Sequence, residues 1–195
     1  MITNRWILTA VCLLSISEIA YGHQVGDSSG FLSGLSHPVL GLDHLLAMLS
    51  VGILSAQMGG KAVWSVPLTF VLVMLLGGFL GIAGVELPFV ERGIAISVLA
   101  LGIALALEKK LPVVLAMIFV GIFAIFHGHA HGTEMPSLAT PAVYAVGFVL
   151  GTAGIHIAGV SVGFIAHRFG PQGIAFLRYS GAGIAGMGLC ILLQG

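Results

Sequence analysis

The feature that most constrains this chain is a series of apolar segments, nearly free of charge and joined by short linkers rich in Gly and Pro. A helix needs about 20 predominantly apolar residues to cross a bilayer. The segments cover residues 39–57, 63–84, 93–107, 111–126, 142–166 and 173–193. The third and fourth are short unless their flanks extend them. The sequence predicts an all-α integral membrane protein, a compact bundle of six transmembrane helices.

Composition supports a membrane protein. Only 7% of the residues are charged and the mean hydropathy is +1.12, whereas soluble domains carry about 25% charged residues. The net charge is zero, so no basic surface indicates nucleic acid. The 29 glycines are typical of helices that pack closely in lipid. Membrane lipid is the expected surrounding. The sequence leaves open whether the protein forms a homo-oligomer.

Residues 1–22 resemble a secretory signal peptide. Arg5 precedes an apolar run, 6–16, that is too short to span, and Ala20 and Gly22 supply the small residues of a cleavage site. His23 would then begin the mature chain, and residues 23–195 would form a single transmembrane domain. The alternative is an uncleaved first helix.

Lysine and arginine predict the orientation. With the mature N-terminus outside, the inner side carries nearly all of the basic residues and the outer side carries Arg92 alone. The inner residues are Lys61, Lys109, Lys110, Arg168 and Arg178. This asymmetry follows the positive-inside rule, so both mature termini are expected to be extracytoplasmic.

The first polar cluster is the stretch HPVLGLDH, residues 37–44. On one continuous helix, His37 and His44 would share a face roughly 10 Å apart, with Pro38 in the first turn. Asp43 and His44 would lie about two turns into the membrane. Ionisable residues at that depth are costly and indicate function. The alternative is an Asp–His hydrogen bond that ties two helices together.

The second cluster is FHGHAHGTE, residues 126–134. His127 and His131 are four residues apart and Glu134 follows three later, so a continuing helix would place all three on one stripe. His129 would point elsewhere. The intervening glycines make a straight helix uncertain, and a solvated loop is an alternative for His129 and His131.

Imidazole together with carboxylate favours borderline divalent metals such as Ni, Co, Zn and Cu. The clusters contain no cysteine, and the chain has no CxxC or HExxH pattern. Under the predicted topology both clusters reach the outer face. The residues therefore predict a metal site at one mouth of a helical bundle, which is most simply a permease.

The two clusters, in this order and in these segments, resemble the motifs of the HupE/UreJ family of nickel and cobalt permeases, and the likeness covers essentially the whole chain. The resemblance implies uptake of Ni²⁺ or Co²⁺ as substrate, no prosthetic group and no enzymatic activity. It also implies a metal pathway through His37, Asp43, His44, His127 and His131. Glu134 matches an acidic position of the second motif, and His129 a variable one.

Two further histidines are candidate ligands. His23 would offer an α-amine and an imidazole to one metal if the signal peptide is cut before it. His156 lies past the midplane of the fifth segment among small residues, where it is either a second metal ligand or a packed histidine bonded to a carbonyl.

Three other functions fit parts of the sequence. A Zn²⁺ transporter would use the same ligands. GVSVG, residues 159–163, fits G-x-S-x-G, and Ser161 could serve an intramembrane hydrolase, although that motif needs a strand–turn–helix context. A haem-binding electron carrier would use histidines as axial ligands.

Overall fold

The structure is a computed structural model that describes residues 30–108, 111–137 and 139–194. Within those ranges the chain forms helices and no strand. The predicted signal peptide and His23 lie outside the described residues. The helices are α1 (Phe31–Leu40), α2 (Leu42–Met58), α3 (Ala62–Ile82), α4 (Val90–Leu107), α5 (Val113–Thr133), α6 (Pro141–Arg168) and α7 (Gly170–Gln194).

Five helices, α3 to α7, are long and apolar enough to cross a membrane, and α1 with α2 makes a sixth candidate span if the bent pair is one crossing. The all-α integral membrane fold is therefore confirmed. The two short segments gain length from their flanks: α4 begins at Val90, and α5 continues through the histidines to Thr133. The solvated loop considered for His129 and His131 is wrong, because both side chains are buried in α5.

The first segment is not one straight helix. Gly41 adopts an extended conformation (φ −86°, ψ 115°) that interrupts the helical hydrogen bonding, and α2 leaves α1 at 84°. His37 and Pro38 therefore lie in the last turn of α1, and Asp43 and His44 in the first turn of α2. The predicted single face carrying His37 and His44 is wrong, as is the predicted place of Pro38 in a first helical turn.

Glycine contacts hold α1 against the first half of α6. A Cβ on Gly34 would collide with the carbonyl oxygen of Tyr144, and one on Gly147 with that of Phe31. Lower down, α2 meets α6 in the same way, since a Cβ on Gly159 would collide with the carbonyl oxygen of Leu49. The regular spacing of glycines in α6 is thus a packing surface for both halves of the bent pair.

The glycines between the histidines of α5 also serve packing. A Cβ on Gly128 would collide with the carbonyl oxygen of Met74, and one on Gly132 with that of Gly78. The backbones of α3 and α5 therefore touch, as small residues allow in membrane bundles. These glycines do not break α5, because the backbone of α3 packs directly against them and holds the helix in place.

Replacing Gly128 with alanine is expected to destabilise the bundle by about 1–3 kcal/mol, the usual cost of overpacking. The matched control is Gly154→Ala in α6, where an added Cβ meets nothing within 4 Å and helix propensity predicts a gain of about 0.5–1 kcal/mol. Thermal unfolding of the purified variants in detergent measures both. Equal midpoints for the two variants would refute the close α3–α5 contact.

The fold brings both polar clusters to one end of the bundle. Helix α2 is the central helix, with Met48, Val51 and Leu54 fully or almost fully buried. Its first turn meets the end of α5, where the His44 ring contacts the rings of His127 and His131. The side chains of the two motifs therefore converge at a single mouth, as the predicted topology requires.

Candidate metal site

The rim of the site is formed by α1 and the C-terminal end of α5. His37 Nε2 lies 2.9 Å from Glu134 Oε2, and these side chains are 28% and 52% exposed. One ligand atom from each of His37, His131 and Glu134 lies within 4.8 Å of the other two. This spacing suits three ligands of one cation.

Glu134 caps α5 just beyond the span. The hydrogen bond from His37 lowers the pKa of the Glu134 carboxyl below its usual value, while partial burial acts in the opposite direction. The rim therefore keeps a negative charge at neutral pH.

The first turn of α2 holds a second carboxylate. Asp43 Oδ1 accepts hydrogen bonds from His44 Nδ1 and from the His44 backbone N–H, both at 2.7 Å. The bond lies within one helical turn, so it ties no two helices together. Because Nδ1 donates to the carboxylate, Nε2 carries the lone pair, and this buried nitrogen has no hydrogen-bond partner among the described residues.

Four imidazoles form a continuous series of ring contacts. Ring centroids are 4.7 Å apart between His37 and His131, 4.3 Å between His131 and His44, and 4.7 Å between His44 and His127. We name these four residues the imidazole row. His37 is half-buried at the rim, whereas His127, at the other end of the row, is fully buried. The row therefore leads from the mouth into the bundle.

Ser97 of α4 fixes the inner end of the row. Its hydroxyl donates to the carbonyl oxygen of Ile94 at 2.6 Å and lies 2.8 Å from His127 Nε2. A hydroxyl has one proton, so His127 Nε2–H must donate to the serine oxygen. Nδ1 of His127 then carries the lone pair. Sequence reasoning missed Ser97, although it is the single polar residue of segment 93–107.

His131 occupies the centre of the row, 4.2 Å from the Phe148 ring. Neither of its ring nitrogens has a hydrogen-bond partner within the described part of the chain, and the same holds for His44 Nε2 and His127 Nδ1. Leaving a buried polar group unsatisfied costs about 1–3 kcal/mol, and such groups are rare in native interiors. Clustered imidazole lone pairs beside carboxylates suit a divalent transition metal ion.

His129 lies outside the row. Its Nε2 donates to the carbonyl oxygen of Val85 at 2.7 Å, in the linker that joins α3 to α4. The helical period places it on another side of α5 from His127 and His131. Its contact secures a linker beside the mouth.

His156 lies apart from the row as well. It is buried in α6 with its ring centroid 5.3 Å from that of Phe70. The alternative of a carbonyl-bonded histidine is wrong within the described residues, since neither ring nitrogen has a partner there.

Residues 159–163 lie within α6 and not at a strand–helix turn. The Ser161 hydroxyl donates to the carbonyl oxygen of Ile157 at 2.8 Å on an exposed surface, while Gly159 and Gly163 pack against α2. This context differs from the one that a G-x-S-x-G nucleophile requires.

Comparison with known proteins covers nearly the whole chain. Residues 10–191 match the family model described as HupE / UreJ protein. The chain is 44% identical to Protein HupE of Rhizobium leguminosarum bv. viciae over 187 residues, which cover 96% of this chain and 97% of that protein. No solved structure matches the chain. The chain belongs to the HupE/UreJ family.

Proposed function

We propose that this protein is a permease that takes up Ni²⁺ or Co²⁺ from the extracytoplasmic side of the membrane. The observation that carries the proposal is a group of buried imidazole nitrogens that have no hydrogen-bond partner among the described residues. They lie beside two carboxylate–imidazole pairs, Glu134 with His37 and Asp43 with His44, at one end of the bundle. Family membership and the membrane fold support it. The same ligands also accept Zn²⁺, which stays the alternative substrate.

The proposed pathway begins at the rim. Glu134 and His37 capture the hydrated ion, and His131 replaces part of its water shell. The ion then passes to His44, whose ligand nitrogen Asp43 orients, and on to His127. The proposed metal-binding residues are His37, Asp43, His44, His127, His131 and Glu134, with His156 deeper in the bundle. His23 would add a chelating amine if it is the mature N-terminus, and His129 contributes through its linker contact.

Charge and membrane potential supply the direction of transport. Two carboxylates balance the charge of a divalent ion, and an inside-negative potential contributes ~4.6 kcal/mol per 100 mV to its entry. Lys61 and Arg168 lie at the opposite end of the bundle from the imidazole row. Their position supports an extracytoplasmic mouth under the positive-inside rule.

The ring contacts argue against the haem alternative. Neighbouring imidazoles of the row lie 4.3 to 4.7 Å apart by ring centroid, which leaves no space for a porphyrin plane between them. A transported ion, in contrast, needs only small side-chain movements to bind.

Uptake of radiolabelled nickel by cells that express the protein tests the proposal. Wild type should accumulate nickel, excess unlabelled Co²⁺ should compete, and excess Mg²⁺ should not, because imidazole ligands do not suit Mg²⁺. His44→Ala should abolish accumulation. Nickel uptake by His44→Ala at the wild-type rate would refute the proposal.

Ser97→Ala is expected to weaken nickel binding about 10- to 100-fold, as for other groups that orient a metal-binding histidine. The loss arises because His127 no longer has a fixed tautomer. Ser97→Thr keeps the hydroxyl and should retain most of the affinity. Calorimetric titration of the purified variants measures the difference, and equal affinities for Ala and Thr would contradict the assigned tautomer.

Uptake is expected to fall as the pH decreases from about 7.5 to 5.5, because histidine ligands bind a metal ion in their neutral form and protons compete with the ion for the imidazole nitrogens. Glu134 does not cause this loss. Its pKa is lowered, so its contribution persists above the usual carboxyl pKa and disappears only when the pH falls through the lowered value. Initial rates measured at fixed free nickel and fixed membrane potential test this. An uptake rate that stays the same from pH 7.5 to about pH 5.5 would contradict it.

A further inference from the structure

The imidazole of His156 is a buried polar group that lies outside the imidazole row. It is 2% exposed, and both ring nitrogens lack a hydrogen-bond partner within the described residues. A neutral imidazole always carries one donor and one acceptor. A histidine with a purely structural role would be expected to pair at least one of these two nitrogens with a protein group. The unpaired nitrogens of His156 therefore indicate a ligand-binding position.

Soft and polar donors surround this level of the bundle. Thr152 lies one helical turn before His156 on α6, and its hydroxyl donates to the Met74 sulfur at 3.9 Å. Met74 lies one turn from Phe70 on α3, and the Phe70 ring contacts His156 at 5.3 Å. An imidazole, a hydroxyl and a thioether thus gather where α3 meets α6. Imidazole and thioether both favour late transition metals.

Phe70 connects this level to the imidazole row. Its ring is fully buried and lies 5.7 Å from the His127 ring and 5.3 Å from the His156 ring. His131 and Phe148 contact each other near the mouth. Counted from that level at 1.5 Å per residue, His127 lies about 6 Å deeper along α5 and His156 about 12 Å deeper along α6. The phenyl ring is therefore a common neighbour of the two imidazoles, beside the step from His127 to His156.

We propose that His156, Thr152 and Met74 form an inner metal station and that Phe70 is a hydrophobic gate between it and the imidazole row. This inference rests on the proposed uptake of Ni²⁺ or Co²⁺. The outer site has two carboxylates, whereas the inner station has none. It therefore binds the ion more weakly and releases it toward the cytoplasm, as conduction through successive sites requires.

Two replacements of His156 test the inner station. His156→Leu removes the donor and His156→Met restores a thioether donor on a side chain of similar size. In proteoliposomes, His156→Leu should reduce nickel uptake about 10-fold or more, by analogy with other lost metal-site contacts, while His156→Met should stay within about threefold of wild type. The nickel affinity of the outer site, measured in nanodiscs, should be unchanged in both, because the imidazole row is intact.

The outcomes separate the station from the proposed function. Wild-type uptake by His156→Leu, or equal impairment of the Leu and Met variants, would overturn the inner station. Absence of nickel binding and uptake in the wild-type protein would instead refute the permease proposal. If His156→Leu loses outer binding and so fails to fold, Thr152→Val, which keeps the side-chain shape, replaces it. This variant should slow uptake, and a wild-type rate would overturn the station.

Phe70→Ala tests the gate. If ring displacement limits the rate, the variant should take up nickel faster than wild type, about threefold or more, since hydrophobic constrictions are barriers to ions. Nickel binding at the outer site serves as the control for folding. An uptake rate at or below that of wild type, with outer binding retained, would overturn the gate.

Discussion

Asp43→Asn is expected to reduce nickel uptake about 100-fold, the upper range for loss of a group that orients a metal ligand. Two effects combine in this variant. The site loses one of the two negative charges that balance the ion. The amide also leaves the His44 tautomer unfixed. The Asp43 carboxylate can only accept the Nδ1 proton, at 2.7 Å, whereas the amide can accept through its oxygen or donate to Nδ1 through its NH2 group.

Glu86→Gln is the matched control for Asp43→Asn. Glu86 is an exposed carboxylate in the linker between α3 and α4, at the same end of the bundle. Its replacement removes the same charge from the same mouth but not from the imidazole row, so uptake should remain near wild type. Initial rates from vesicles with equal protein content measure both variants. An Asp43→Asn rate equal to that of Glu86→Gln would show that Asp43 is not part of the metal pathway.

His131→Ala is expected to have a comparably large effect, with nickel affinity and uptake both reduced about 100-fold. His131 is the ring that joins the rim to the inner part of the row, through contacts with His37 and His44. Without it, the His37–Glu134 pair at the rim is no longer connected to the His44–Asp43 pair. Calorimetry and vesicle uptake should report the loss together.

His129→Gln is the control within the same motif. The glutamine amide can still donate to the Val85 carbonyl oxygen that His129 contacts, so folding should be preserved. Because His129 lies outside the imidazole row, nickel affinity should change less than about threefold. Equal losses in His129→Gln and His131→Ala would show that the motif acts as an undifferentiated histidine cluster.

Much of the fold follows from the sequence because lipid imposes simple rules. Apolar segments must form helices in a bilayer, since no other partner satisfies their backbone groups. Five helices therefore appear where segments 63–84 to 173–193 lie. The grouping of His127, His131 and Glu134 also follows, because helical periodicity alone sets that stripe.

The bend at Gly41 could not be predicted in the same way. Nothing in HPVLGLDH distinguishes a helix that continues from one that breaks. The break depends on tertiary contacts, in which Gly34 and Gly147 let α1 pack against α6. As a result, His37 approaches His131 from a separate helix, and the predicted His37–His44 face does not form.

The positioning residues depend on tertiary structure as well. Ser97 is 30 residues from His127 in sequence, and Phe70 is 86 residues from His156. A lone serine or phenylalanine in an apolar segment carries no periodic signal of such a pairing. The ligands were therefore visible as motifs, whereas the groups that orient them or separate them become visible only in the packed bundle.

The most direct test of the central claim is uptake of radiolabelled nickel by proteoliposomes that contain the purified protein alone, under an imposed inside-negative potential. We predict accumulation by the wild-type protein that collapses when the potential is removed and is absent in His131→Ala. Failure of the wild-type protein to accumulate nickel or cobalt under that potential, or equal accumulation by His131→Ala, would contradict the assignment of the imidazole row as the entry path for the metal.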